Sequence, residues 1–470
     1  ARFSRTFTPP LACCSCMRPA RGNTSSSTRS SAPAPSSLGA QWCVIAHSGP
    51  PDPHGPAVGG TTVRGVSAPA PTDPVLVAAC RTAIGTAGHA LSAVPAVDLA
   101  APVVAEVTRR ASALDLPVAE TVLGNCLGPG GNIARSVALA AGLPITTPAV
   151  TVDRQCGSGL EAVRLAVASV RLAAMTEHRS TLVLAGGAES ASTAPWRFWP
   201  PDAPDAPPQR YTRAPFAPFG FLDPDMGDAA DDLAARRGIS RHRQDMYAER
   251  SHRRAYDARA AGRFAAEIIP VAGLDSDERP RRLTLDRLSR LPPAFNRGAI
   301  SAPADASGAL GTVTAGNSSG ISDGAAVVAV TTRAAAQAAG LASVVIRSCA
   351  VVAGDPALPG AAAGPAAAAA LRAAGLTVGD VGAIEITEAF ASVALAFADD
   401  LGVDPERLCA DGGAIALGHP WGACGAILLV RLMFQMLAPG GAEFGLAACA
   451  IGGGQGIAMV LQRCDPAGPA

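Results

Sequence analysis

Two stretches decide the fold: Cys156-Gly-Ser-Gly-Leu-Glu-Ala-Val-Arg-Leu165 and Gly422-Ala-Cys-Gly-Ala-Ile-Leu-Leu-Val-Arg-Leu432. Each is a glycine-rich turn running into an amphipathic helix, and the second echoes the first. In the first, Leu160, Val163, Val167 and Val170 recur at helical spacing, which predicts one buried face. A repeat of this kind implies two similar halves that bring two turns together across a pseudo-dyad.

Outward from these turns, apolar runs at 75–79, 181–185, 327–330, 344–346 and 384–386 read as buried strands. Residues 97–110 carry helical periodicity. The alternation predicts an α/β protein with largely parallel strands. Residues 192–311 are different material, with clustered prolines, most of the aromatics and a basic helix-like stretch at 239–263. They read as an inserted loop subdomain, ending in a further loop at 296–310. The organisation is then an N-terminal half over 73–333, with the insertion at about 192–311, a C-terminal half over 334–465 and a tail at 466–470.

Residues 1–72 are rich in Ser, Pro, Arg and Gly, with no acid before Asp52. Arg2, Arg5, Arg18, Arg21 and Arg29 among serines resemble an organellar transit peptide; translated upstream sequence is the preferred reading. Either way this composition predicts disorder. Cys13, Cys14 and Cys16 have no second ligand pair at finger spacing, so they are weak evidence for a metal site.

Composition narrows the function. Of 470 residues, 49% are hydrophobic and only 16% charged, below the usual quarter, so much of the chain belongs in interior or subunit interface. Lys+Arg and Asp+Glu balance at 38 each, which argues against nucleic-acid or membrane-surface binding. No apolar run reaches the roughly eighteen residues of a membrane span. Twelve cysteines in a long chain without a signal-peptide hydrophobic region read as reduced thiols in the cytoplasm. The chain contains no lysine, which excludes Schiff-base and P-loop lysine chemistry and leaves arginine as the strong phosphate partner.

The candidate chemistry sits on glycine-rich turns. Cys156 precedes a predicted helix, whose N-terminus lowers a thiol pKa and so suits a covalent nucleophile; the bland alternative is a buried structural cysteine. His419, between Gly418 and Pro420 in Asp411-Gly-Gly-Ala-Ile-Ala-Leu-Gly-His-Pro-Trp-Gly422, is held in a defined turn. Cysteine and histidine pair through space to make a thiolate. Ala450-Ile-Gly-Gly-Gly-Gln-Gly456 is a third loop whose N–H groups suit an oxyanion hole.

Together these segments resemble the thiolase family, which exchanges acyl groups through a cysteine thioester and makes or breaks a carbon–carbon bond between coenzyme A thioesters. The resemblance covers 73–463. It includes Ala79-Cys-Arg-Thr-Ala-Ile-Gly85, Gly124-Asn-Cys-Leu-Gly-Pro-Gly-Gly-Asn-Ile-Ala-Arg135, Asp225-Met-Gly227, Gly311-Thr-Val-Thr-Ala-Gly-Asn-Ser-Ser-Gly-Ile-Ser-Asp-Gly324 and Thr387-Glu-Ala-Phe390. It implies an α-β-α-β-α five-layer fold, at least dimeric, as a homodimer or homotetramer. It also implies acyl-CoA substrates, no tightly bound cofactor and no metal. By resemblance Cys156 takes the acyl group and His419 activates it. The N–H groups of Cys156 and Gly452 hold the oxyanion. Ser319 meets the pantetheine arm, Met226 and Phe390 line the acyl tunnel, and Arg279, Arg281 and Arg282 are candidates for the coenzyme A phosphates, each with a plain surface charge as its alternative.

The departures from the family pattern are specific. Thr387 stands where the family has an Asn that orients an oxyanion-hole water, and Asp153 also replaces an Asn. Aligned by the glycine loop, the family's second cysteine, which shuttles the α-carbon proton, is replaced by Ala450. Cys449 lies one residue early, and on a strand that offset points a side chain to the opposite face. Counting from His419 favours Cys449 instead. Either Cys449 reaches the site through a bulge or another group, with Cys424 a candidate, moves the proton. Three functions follow: an acyl-CoA C-acyltransferase working by thiolysis or condensation, a coenzyme A-ester-binding protein without C–C chemistry, and a ketosynthase-like condensing enzyme docking an acidic carrier on the Arg-rich 236–263 stretch.

Overall fold

The computed structural model describes residues 43–44, 67–295 and 311–464. The expected disordered extension (apart from 43–44 and 67–72), the Cys13–Cys14–Cys16 tract, the loop at 296–310 and the tail at 466–470 lie outside the described residues. The site depends on nine strands. They are β1 (Pro74–Thr82), β2 (Val118–Gly124), β3 (Ala149–Val152), β4 (Leu182–Ser190), β5 (Ser322–Thr332), β6 (Ser343–Ala353), β7 (Ala383–Ile386), β8 (Phe444–Ile451) and β9 (Gln455–Cys464). They run in the order β7-β8-β9-β6-β1-β5-β4-β2-β3. Along the whole of β1, β4 and β5 every residue is buried, as expected of strands covered on both faces. The two halves meet at a seam of two paired positions, Val344 with Leu76 and Val345 with Val75.

Helices cover these half-sheets: α1 (Ala96–Arg110), α2 (Ser158–Thr176), α3 (Met226–Arg237), α4 (Arg241–Ala260), α5 (Ala363–Ala374), α6 (Ala391–Leu401) and α7 (Trp421–Leu437). Val103 and Val107 of α1 pack on Val77, Leu184 and Val327 outside the first half-sheet. Ala366 of α5 and Phe397 of α6 pack on Ala448 and Val460 outside the second. Between the sheets, Leu160, Val163, Val167 and Val170 of α2 and Leu429 and Met433 of α7 fill one core against Val183, Val328, Ile346 and Ile457. Both repeated helices therefore form the middle layer of an α-β-α-β-α stack, and the predicted apolar face of α2 is the buried one.

Strand direction departs from the sequence reading. β2–β3, β2–β4 and β7–β8 are parallel, but β1–β5, β4–β5, β6–β9 and β8–β9 are antiparallel. β8 and β9 close as a hairpin through Gly452–Gly454, and β5 returns against β4 after the insertion. Continuous burial says that a strand is covered on both faces but not which way it runs.

The basic stretch forms α4, its N-terminus capped by the Ser240 hydroxyl accepting from Arg243 N–H. Its charges are largely answered by acids: Arg243 pairs with Asp399, Arg254 with Glu406 and Arg263 with Asp411. The insertion is tied to the sheet by Arg81, fully buried on β1. Its guanidinium donates to Glu267 at 2.7 Å and, as a fork, to Asp277 at 2.7 and 2.9 Å. Such a buried ion group needs all its partners, because removing one strands a charge. Among the described residues no helix is long and apolar enough to cross a membrane.

The starts of α2 and α7 touch backbone to backbone. A Cβ on Gly159 would lie 2.6 Å from Ala426 N, and one on Gly187 only 1.9 Å from Gly422 O. Only glycine permits that approach. Gly187→Ala should therefore lower the denaturation free energy by about 1–3 kcal/mol, measured by urea unfolding. Gly379→Ala, whose Cβ meets only Thr377 Oγ1 at 3.5 Å, should stay near wild type.

Candidate active site

Cys156 lies just before α2, on a turn in which Gln155 takes φ +46°. A non-glycine residue there is strained, and such strain gathers at active sites. The turn is held from both sides. Asp153 Oδ1 accepts from Gln155 N–H at 2.8 Å, and Gln155 C=O accepts from Ser158 Oγ at 2.7 Å and from Cys126 Sγ at 3.3 Å. Asp153, which replaces the family Asn, thus supports the turn rather than facing the pocket.

His419 follows Gly418, whose φ is +116°. Its N–H donates to Gly320 C=O at 2.9 Å, fixing the loop against the start of β5. Its Nε2 stands 3.3 Å from Cys156 Sγ, and its Nδ1 stands 2.6 Å from Cys424 Sγ. The two residues singled out from distant turns are therefore in contact.

The electrostatics differ from the sequence reading in sign. Cys156 keeps some exposure on the pocket side, but its surroundings are dense, and burial pushes its thiol up to about 12. The N–H groups of Cys156 and Gly452 act in the opposite direction by donating to the sulfur. A helix dipole is worth up to about 2 kcal/mol in favourable cases, and here desolvation outweighs it. Burial likewise pulls His419 down to about 4, so at neutral pH the pair rests as thiol and neutral imidazole.

A pocket of about 360 Å³ opens above the pair. Met226, at the start of α3, Ser319 and Phe390 line it together with Cys156, His419 and Gly452. Ala450 lines it too, whereas Cys449 does not. The β8–β9 register runs without a bulge, Cys449 opposite Ile457 and Ala450 opposite Gly456. Cys449 therefore faces the middle-layer core, fully buried, with its thiol donating to Ala450 C=O at 3.2 Å. Burial raises its pKa, and the nearby Cys156 adds to that. The strand period of two turns Cys449 away from the pocket, which leaves Ala450 at that place. Cys424 backs the imidazole instead of reaching the pocket. Thr387 also lies outside the pocket; its buried hydroxyl makes no hydrogen bond of standard geometry, though it sits by Cys449 and favours that thiolate.

The three arginines stand apart from Cys156 and His419. Arg279 presses its guanidinium on Gly320, next to Ser319, while Arg282 stacks over Tyr256 at 4.9 Å and Arg281 is exposed. Among the described residues none of the three is paired with an acid. Burial and Arg281 both lower the Arg279 pKa, and burial, with Arg281 and Arg279 adding to it, drives His252 down to about 3.

Sequence reasoning missed Glu189. This buried carboxylate accepts from Cys126 N–H, Leu127 N–H and Gly422 N–H at 3.0–3.1 Å, joining the loop under Cys156 to the start of α7. The available signal was an acid inside the apolar run of β4, because acids are almost never fully buried without partners.

The chain is similar to known proteins. Residues 74–334 match the family description "Thiolase, N-terminal domain" and residues 338–463 match "Thiolase, C-terminal domain". A putative acetyl-CoA C-acetyltransferase of Bacillus subtilis is 38% identical, over 83% of this chain and 98% of that protein. The acetyl-CoA acetyltransferase of Escherichia coli is 39% identical, over 83% and 99%. A crystal structure of the Bacillus anthracis acetyl-CoA acetyltransferase superposes with a TM-score of 0.75 at 32% identity, covering 83% of this chain and 99% of that one. With both halves matched and the paired turns in place, the chain belongs to the thiolase family.

Proposed function

We propose that this protein is an acyl-CoA C-acyltransferase of the acetyl-CoA acetyltransferase type, working through a thioester on Cys156. The observation that carries the reading is the 3.3 Å contact between His419 Nε2 and Cys156 Sγ at the floor of the acyl-sized pocket. In this reading neutral His419 takes the thiol proton as sulfur attacks the thioester carbonyl. The N–H groups of Cys156 and Gly452, already donating to the sulfur, stand beside the developing oxyanion. Met226 and Phe390 hold the acyl chain, and Ser319 meets the pantetheine arm. Arg279 and Arg281, which pair with no acid among the described residues, offer positive charge for the nucleotide phosphates. The protein works in the cytoplasm as a homodimer or homotetramer, and the oligomer is supported by exposed apolar residues such as Trp196, Phe198 and Trp199 in and beside the strand Arg197–Trp199.

A second reading rests on Ala450. With a methyl group where the family places its proton-shuttling cysteine, the protein binds and transfers acyl groups but makes and breaks C–C bonds slowly. The ketosynthase-like alternative loses support, because acids already answer several arginines of the 236–263 stretch.

Incubation with acetyl-CoA followed by intact mass should add one acetyl group. Cys156→Ala should abolish it, and His419→Ala should slow it by at least about 100-fold. A folded wild-type protein that stays unacetylated defeats the thioester reading. Ala450→Cys should raise acetoacetyl-CoA thiolysis about tenfold or more while acetylation of Cys156 changes little; no gain would favour the binding reading. Arg279→Ala should raise KM for coenzyme A about tenfold, the loss of a charged hydrogen bond, with kcat nearly unchanged.

A further inference from the structure

Behind the imidazole lies a second, smaller cavity of about 20 Å³. One water molecule needs at least roughly 10–15 Å³ of such space. Cys424, whose sulfur touches His419 Nδ1, lines this cavity together with Thr387, Glu385 and Arg431. Thr387 Oγ1, Glu385 Oε2 and Arg431 Nε are all buried and make no hydrogen bond. Arg431 Nε and Glu385 Oε2 face each other only as an ion pair at 3.5 Å, with side chains 2% and 0% exposed. These three polar atoms border a space that is otherwise walled by apolar groups of Ile84, Leu417, Ile427 and Leu428, and a water held there has them as its partners.

We propose that a water bound in this cavity extends the line Cys156–His419–Cys424 to Glu385, and that Glu385 is the terminal acceptor of the Cys156 proton. This rests on the reading of Cys156 as the nucleophile. The need arises at His419. Its burial disfavours an imidazolium, and among the described residues no carboxylate touches its ring. A relay avoids that charged state. The Cys156 thiol proton arrives at Nε2 as the Nδ1 proton leaves for Cys424 Sγ. Cys424 passes its own proton to the water, and the water protonates Glu385. One S–H bond breaks at Cys156 and one O–H bond forms at Glu385. The negative charge moves to the Cys156 sulfur, and His419 ends neutral with its proton on the other nitrogen. The Cys156 sulfur then bonds the thioester carbonyl carbon, the bond to the coenzyme A sulfur breaks, and the stored proton returns along the same line to that leaving sulfur.

Glu385 is suited to the part. Burial raises its carboxyl to about 7, against the lowering influence of Arg431. Facing it are Arg431 and Gln435 from α7, Asp411 and Cys409 from the segment before α7, and Glu388 beyond β7. On β8 its register partner is Ala447, with Cys449 two residues further on that face. Glu385 accepts a proton above about pH 7 and is already protonated below it, so acylation should fall as pH drops through that point. Glu385 acts through other groups and is a positioning residue of the proton path, not a group that touches substrate.

The test is the pH profile of Cys156 reactivity from pH 5.5 to 9 (roughly the span either side of the Glu385 carboxyl), read with acetyl-CoA in single turnover and with iodoacetamide as a substrate-independent probe. Wild type should rise through about pH 7 and level off. Glu385→Gln and Cys424→Ala should lose that limb and react about tenfold or more slowly at pH 8, and Cys424→Ser, which keeps a hydroxyl relay, should restore it. A limb that survives in folded Glu385→Gln, or Cys424→Ala that matches wild type, overturns the proposal. Should Glu385→Gln fail to fold, the Cys424→Ala and Cys424→Ser pair decides alone. Loss of acetylation with a wild-type limb for iodoacetamide would overturn the acyl-CoA reading and support the relay.

Discussion

Everything at this site depends on two helix starts meeting without side chains between them. Gly159 lies against the backbone of α7, and Gly422 nests between Gly187 and Gly124. That contact sets the separation of Cys156 and His419, because each residue sits on the turn entering one of these helices. Glu189 fixes the same arrangement by hydrogen bonds, accepting from the loop under Cys156 and from Gly422 at once. The geometry of the Cys156–His419 contact is thus inherited from close packing of the middle layer, whose precision comes from interior density.

The buried setting has a cost and a use. Cys156, His419, Cys424, Cys449 and Glu385 all shift toward their neutral forms by burial. A free site of this kind holds little charge at neutral pH. The N–H groups of Cys156 and Gly452 act against that shift, and a low dielectric makes such fixed dipoles most effective.

Much of this was legible in the chain. The repeated turn-helix units announced two halves and singled out Cys156 and His419, which lie in contact, because glycine density and helical spacing are local signals. The five layers came with the family resemblance. Strand direction was not legible, since residues such as Val183 and Val328 are buried in the same way whichever way their strands run. The thiol shift of Cys156 was read with the wrong sign, because a helix N-terminus is visible in sequence while the density around a sulfur is not. Which of Cys449 and Ala450 lines the pocket turns on strand parity, and the register places Ala450 there. Glu189, Glu385 and the back of the imidazole depended on contacts between distant segments that no single stretch displays.

The two half-sheets share only a two-residue seam, Val344–Leu76 and Val345–Val75, so their union rests on α2 and α7. Each half supplies one helix to a layer that both halves need. Neither half owns a complete core of its own, and loss of either strips the other of one wall. The halves are thus one cooperative unit in unfolding, and the contact between Cys156 and His419 is lost in a single transition rather than in sequence.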